Sequence, residues 1–156
     1  FYIQTGRMVM QLRELSMGDM DEIKVFFTSI FTKEPWNDDW SDENQLQAYI
    51  ADLIGNRSSL TLGLFADESL VGLSMGRVKH WYSGTEYCID ELCIKTEEQG
   101  KGLGTRFLKE IESFIKTKGA KYIFLQTERT VPAYEFYRKN GFIELENSVS
   151  FVKEFE

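Results

Sequence analysis

The feature that most constrains this chain is a change of hydrophobic period along its length. Runs that alternate every second residue indicate strands, and stripes recurring every third or fourth residue indicate helices. Leu60, Leu62 and Leu64 alternate, Asp67-Glu68-Ser69 turns, and Val71, Leu73 and Met75 alternate again, which predicts a hairpin. Residues 87–94 and 122–126 are further apolar strands. Between them Leu103, Phe107, Leu108, Ile111, Phe114 and Ile115 form an amphipathic helix. A sheet that takes both hairpins and a strand–helix–strand unit is mixed. The fold class expected is therefore α+β, and a doubly wound parallel sheet is set aside.

The same pattern predicts the other elements. Met8, Met10 and Leu12 alternate as a first strand. Ser16 and Asp19 make a capping-box-like start for a helix carrying Met20, Ile23, Phe27, Ile30 and Phe31. Ser41, Asp42 and Glu43 open a second helix, with Leu46, Tyr49, Ile50 and Leu53 as its apolar stripe and Gly55-Asn56 as its stop. Pro132 stands in the first turn of a last helix that ends at Asn140-Gly141. Residues 142–145 and 149–155 read as final strands. The predicted order is β-α-α-β-β-β-α-β-α-β-β, without repeat or linker. At 156 residues this fits one domain over 1–156. Residues 1–7 do not read as a normal start; they fit vector-derived or trimmed residues, with Met8 or Met10 as the native beginning.

Charge narrows the function classes. Lys and Arg number 18 against 25 Asp and Glu, a net charge of −7. Nucleic acid is a poor partner for such a chain, because phosphate contacts need a basic surface; a cationic partner suits it better. Two Cys and one His make a metal site from those ligands unexpected. Cys88 and Cys93 lie an odd number apart on one strand, which points them to opposite faces and makes a disulfide between them unexpected. Free thiols fit a reducing cytoplasm. No run reaches the ~18 apolar residues of a membrane span. A chain so short of His and Cys is expected to borrow its chemistry from a cofactor, or to use carboxylates and phenols.

The informative segment is Glu91-Leu92-Cys93-Ile94 followed by Gln99-Gly100-Lys101-Gly102-Leu103-Gly104-Thr105. It reads as strand, glycine-rich loop, helix start. Glycines let the backbone turn tightly and approach a ligand, and the free N–H groups of a helix start favour an anion such as a pyrophosphate. A plain glycine turn is the competing reading, since neither the dinucleotide Gly-x-Gly-x-x-Gly order nor the Walker pattern is met.

The run Gln99-Gly100-Lys101-Gly102-Leu103-Gly104 resembles the acyl-CoA loop of the GCN5-related N-acetyltransferases, Gln/Arg-x-x-Gly-x-Gly/Ala, matched by Gln99, Gly102 and Gly104. Ala133-Tyr134-Glu135-Phe136-Tyr137-Arg138-Lys139-Asn140-Gly141-Phe142 is similar to the family's second signature, an Ala followed by Phe-Tyr-x-Lys-x-Gly-Phe. The element order matches the family too. One departure is Thr130, where many members carry Asn; here Thr130 reads as a helix cap.

The resemblance implies a family fold whose fourth and fifth strands splay around the pantetheine of acetyl-CoA. Backbone groups of Cys93 and Ile94 would pair with pantetheine, and an amide at Cys93 would polarise the thioester carbonyl. Amides of Gln99, Gly100, Lys101, Gly102, Leu103, Gly104 and Thr105 would hold the pyrophosphate, with Thr130, Ala133 and Lys139 completing the cofactor set. Tyr137 falls on the general-acid position; a core aromatic is the other reading. Glu91 is the candidate base and Asp90 its rival, because strand alternation exposes only one of the two. The family lines its acceptor site with the first two helices and their loop. Here that loop holds Trp36, Asp38, Asp39 and Trp40, a mixture of aromatic faces and carboxylates suited to a cationic amine; acids serving the next helix dipole are the bland alternative. Trp81, Tyr82 and Asp90 are further wall candidates. The loop and the Glu91 strand look similar to the aminoglycoside 6′-acetyltransferase branch. The expected function is acetyl transfer from acetyl-CoA to a small cationic amine. A protein or peptide acetyltransferase and a non-catalytic acyl-CoA sensor stay as alternatives. No nucleic-acid or membrane partner is expected, and the family makes a homodimer a candidate.

Overall fold

The computed structural model describes residues 9–156. Met8 of the predicted first strand, and the reading of residues 1–7, lie outside the described residues. The chain forms two compact units, 1–126 and 127–156.

The first unit carries the sheet. Its elements are β1 (Met10–Leu15), α1 (Met20–Phe31), α2 (Glu43–Ile54), β2 (Ser59–Ala66), β3 (Ser69–Trp81), β4 (Gly84–Ile94), α3 (Leu103–Thr117) and β5 (Ala120–Leu125). Spatial order equals sequence order, β1 to β5. The first three pairings are antiparallel and β4 pairs with β5 in parallel, across α3. The mixed α+β class expected from the sequence is the one found.

The sheet separates two apolar layers. On one face α1 and α2 bury Ile23, Phe27, Leu46 and Ile50 against Leu73, Met75 and Cys93. On the other, α3 buries Phe107, Ile111 and Ile115 against Leu62, Leu64, Val71, Tyr87 and Ile89. Tyr87 is fully buried and its phenol is satisfied by Ser74 Oγ at 2.8 Å and the Leu60 carbonyl at 3.0 Å, as a buried hydroxyl requires.

A bulge in β4 determines what that strand presents. Met75 pairs with Glu91 and Gly76 with Ile89, so Asp90 is an extra residue with no partner. Before the bulge, Tyr87 and Ile89 face α3; beyond it Leu92 and Ile94 face that side, and Cys93 faces α1 and α2. The bulge therefore reverses the side-chain parity. Cys88 and Cys93, expected on opposite faces from their odd spacing, fall on the same face. Both are buried free thiols, and about 16 Å of strand separates them at ~3.3 Å per residue.

In the second unit, α4 (Pro132–Lys139) is the regular element. Its N-cap residue is Val131, without a side-chain cap, so the expectation that Thr130 caps this helix is corrected. The helix ends in a Schellman arrangement: the Phe142 N–H donates to the Tyr137 carbonyl at 3.1 Å and the Gly141 N–H to that of Arg138 at 3.2 Å. Gly141 takes φ +86°, which only glycine adopts without strain. The accompanying apolar contact is Phe142 on Tyr137, 5.3 Å between centroids.

The strands predicted over 142–145 and 149–155 do not form. The turn between them does, with the Ser148 N–H bonded to the Leu145 carbonyl at 3.1 Å, but no ladder follows it. Alternation supplies one apolar face, yet two short strands without further partners are marginal.

Candidate functional site

Two regions of the first unit collect the residues singled out in its sequence. The first is the start of α3. β4 ends at Ile94, a short 3-10 turn spans Thr96–Glu98, and the helix begins at Leu103. Gly100 and Gly102 have φ of +82° and +77°. Side chains would be strained there, although an added Cβ would meet nothing within 4 Å. The glycines are thus demanded by backbone conformation, and the space beside them is open. Gln99 uses its side-chain amide to close the loop, donating to the Ile94 carbonyl at 3.0 Å. Lys101 pairs with Glu98 at 3.7 Å.

The N-terminus of α3 carries no side-chain cap and no acid in its first turn. The amides of Leu103, Gly104 and Thr105 belong to the set that has no intrahelical acceptor. A diphosphate fits this end: backbone donors and the helix dipole are both available to it, the first turn of α3 holds no carboxylate, and the glycines leave room. Next to it, the pairing of β4 with β5 runs only as far as Ile89 and Leu125. Cys93 and Ile94 lie on the stretch of β4 that has left β5, consistent with strands that splay.

The second region faces α1 and α2. Past the bulge, Glu91 is half-buried while Asp90 is exposed. The Tyr49 hydroxyl of α2 donates to Glu91 Oε1 at 2.5 Å. Burial raises the Glu91 carboxyl above its ordinary pKa; the Tyr49 bond works against that, and the charges of Asp38 and Asp90 add to it. The Tyr49 phenol is pushed up as well, by burial first and by Glu91 second. Burial also raises the Cys93 thiol, which makes it an unreactive group.

The loop after α1 folds back on that helix. The Asp38 N–H donates to the Phe31 carbonyl at 2.9 Å. Asp39 accepts from the Ser41 N–H at 3.0 Å, and its pKa is lowered by hydrogen bonds with Ser41. Asp42, one of the three residues read as opening α2, accepts from the Asn44 and Gln45 N–H groups and caps the helix. Trp40 stacks on Tyr49 with centroids 5.0 Å apart and meets Phe27 edge-on at 5.5 Å. Trp36 lies against Phe31 at 5.6 Å. Both indoles are half-buried against the apolar core, so part of each ring is already occupied by packing. The Trp40 indole N–H is buried without a hydrogen-bond partner. A groove of about 660 Å³ runs beside this loop, lined by Asp21, Asp38, Asp39 and Glu43 together with Lys24 and Trp40.

Some residues do not join this site. Trp81 pairs with Gly84 at the far end of the β3–β4 hairpin. The strand from Gly84 to Glu91 spans about 23 Å, so neither Trp81 nor Tyr82 walls the Glu91 region of its own unit. They pair with each other at 5.2 Å and are exposed. A larger concavity of about 850 Å³, lined by Glu14, Arg57, His80 and Lys118 among others, contains none of the motif residues. In the second unit, the Tyr137 ring is set between Phe136 at 5.4 Å and Phe142 at 5.3 Å. Ala133 and Lys139 lie on the same helix, and Thr130 precedes it. Sequence reasoning missed Tyr49, which looked like one more member of the α2 stripe. Its only advance signal was a hydroxyl on an otherwise apolar face.

Comparison with known proteins agrees with this architecture. A model described as the acetyltransferase (GNAT) family matches residues 20–142. No curated protein matches by sequence. A possible acetyltransferase from Clostridium difficile 630 superposes with a TM-score of 0.78 at 17% identity, covering 95% of this chain and 99% of that one. An aminoglycoside N-acetyltransferase, AAC(6')-Iy, in complex with CoA gives 0.75 at 12% identity, covering 98% and 100%. An aminoglycoside acetyltransferase from an uncultured soil metagenomic sample, in complex with sisomicin, gives 0.72 at 20% identity, covering 94% and 97%. At these identities the superpositions establish the fold.

Proposed function

The chain belongs to the acetyltransferase (GNAT) family and is an acetyl-CoA-dependent N-acetyltransferase, and from that premise we propose that its acceptor is the primary amine of a small polycation, of the aminoglycoside or polyamine type. The observation that carries this reading is the half-buried Glu91 carboxylate beside Asp38, Asp90 and the Trp40–Tyr49 stack. Carboxylates attract ammonium groups, and an aromatic face adds cation–π attraction. Two of the structural relatives are aminoglycoside acetyltransferases, one of them in complex with sisomicin.

Acetyl-CoA supplies the acetyl group as a thioester. The α3 start would hold its diphosphate through the amides of Leu103, Gly104 and Thr105, with Lys101 adding charge beside Gly100 and Gly102. Gln99 keeps the loop in shape. Backbone groups of Cys93 and Ile94 would pair with the pantetheine. Glu91 is the general base: an ammonium has no lone pair, so its proton must leave before attack, and Glu91 is the half-buried carboxylate of the pair with Asp90. Tyr137 is the general acid that returns a proton to the departing thiolate. A phenol, whose free pKa is about 10, suits a thiol leaving group, and the Schellman turn at Gly141-Phe142 sets the ring. Asp38, Asp39 and Asp90 attract the acceptor's further charges.

A thiol-release assay with acetyl-CoA over sisomicin, spermidine, free amino acids and Lys-containing peptides tests the reading. Faster release with the polycations is expected. Faster release with peptides would move the assignment to a peptide acetyltransferase, and acetyl-CoA binding with no release on any amine would leave a sensor module.

A further inference from the structure

We propose that Tyr49 is the positioning residue for Glu91, holding one carboxylate oxygen so that the other is presented to the amine. This rests on the reading of Glu91 as the base. The phenol donates to Oε1 at 2.5 Å, the length of a charge-assisted bond. The ring cannot swing away freely. Trp40 stacks on it at 5.0 Å with 25° between planes, and Phe27 lies 5.9 Å off at 50°. The backbone of α2 is anchored in turn by the Asp42 cap and by Lys24 of α1, which reaches Glu43 at 2.9 Å and Gln47 at 2.9 Å. A chain of contacts from the helix start to the phenol therefore fixes where the carboxylate points.

The arrangement does two things. With Oε1 occupied, Oε2 is the oxygen left to take the ammonium proton. The bond also favours the charged carboxylate over the neutral acid. The groups facing Glu91 are Tyr49 from α2, Asp38 from the 32–42 segment, and Asp90 and the Cys93 thiol from β4 itself; Met75 of β3, its ladder partner, is uncharged. Burial and both aspartates push the proton onto Glu91. Tyr49 is the member of this set that opposes them, so it keeps the base ionised further into the acid range.

Tyr49→Phe keeps the stacked ring and removes only the hydroxyl. Two readouts separate this proposal from the one it rests on. The first is the Glu91 titration followed by carboxyl carbon NMR in the ligand-free protein, with Glu91→Gln to assign the signal. The second is the acid limb of kcat/KM against pH, measured with the amine that releases CoA fastest. Tyr49→Phe is expected to move both upward by about one pH unit, since hydrogen bonds to charged groups are worth about that much. That is about a ten-fold loss of rate on the acid side, with KM for acetyl-CoA unchanged. A Glu91 titration that does not move overturns the positioning role whatever the rates do. A titration that moves while the rate limb stays also overturns it as a catalytic device, and locates the error in the choice of Glu91 as base. A merely structural tyrosine would lower stability and rate at every pH and leave the limb where it was.

Discussion

Two helix starts in the first unit make opposite use of the same physics. The start of α2 is closed by its own chain: Asp42 accepts two backbone N–H groups and Glu43 adds a negative charge in the first turn. The start of α3 is left open, reached through Gly102 with φ +77°, with no side-chain cap and no acid in its first turn. A capped end stabilises the fold. An uncapped end keeps its donors for a ligand. The closed helix carries Tyr49 to the Glu91 carboxylate, the proposed base, and the open one leaves its amides available for the proposed diphosphate. On the proposed reading the base and the diphosphate are served by different helices, so variants at the α2 side should change turnover and variants at the α3 start should change affinity.

The largest expected effect lies on the α2 side. Glu91→Gln should lower kcat by roughly 10²–10⁴-fold, the range for loss of a general base, with KM for acetyl-CoA held; steady-state kinetics read both. A rise in KM without loss of kcat would break the separation. Next comes the attempt to make α3 resemble α2. Thr105→Glu places a carboxylate in its first turn, where it should raise KM for acetyl-CoA at least about ten-fold by repulsion of the diphosphate. The same change should leave thermal stability equal or higher, because it complements the dipole. The reverse experiment is Asp42→Ala, which removes the α2 cap. It should cost about 1 kcal/mol, a fall of roughly 2–4 °C in Tm, and leave KM for acetyl-CoA alone.

The smallest effect concerns stability against pH. Burial raises the folded pKa of Glu91 above its unfolded value, so the folded state binds the proton more tightly. The group's contribution to stability is full below the unfolded pKa and is lost as pH rises through the raised folded value. At neutral pH the charged carboxylate therefore costs stability. Glu91→Gln should melt slightly above the wild type at pH 7, and the gap should close near pH 4. Calorimetry at the two pH values tests this.

The layers of the first unit were legible because alternation and helical spacing report burial directly. β1 to β5 and α1 to α3 lie on the segments those periods mark, although β3 runs on to Trp81 and β4 already starts at Gly84, past the apolar alternation of each, and α4 was equally readable from Pro132 to the Asn140-Gly141 stop. The glycine loop was readable too, since positive φ at Gly100 and Gly102 leaves a mark in residue type. Four things were not. The Asp90 bulge depends on how β4 pairs with β3, which no single-strand pattern contains, and it reversed the inference about the two cysteines. Tyr49 was hidden by its own ring, since at helical spacing a phenol packs like any apolar side chain and only its partner 42 positions away reveals the hydroxyl's use. The tryptophans of the 32–42 segment were read for their faces alone, while the fold gives Trp36 to Phe31 and one side of Trp40 to Tyr49. The runs over 142–145 and 149–155 have strand alternation without a strand, because alternation describes one face and a strand needs a neighbour.

The central claim is that the open start of α3 takes the diphosphate of acetyl-CoA. Calorimetric titration of the protein with acetyl-CoA and with acetyl-pantetheine, which carries the same thioester without the diphosphate, tests it most directly. The wild type should bind acetyl-CoA at least about ten-fold more tightly, and Thr105→Glu should remove most of that difference. Equal affinity for the two donors in the wild type would contradict the claim.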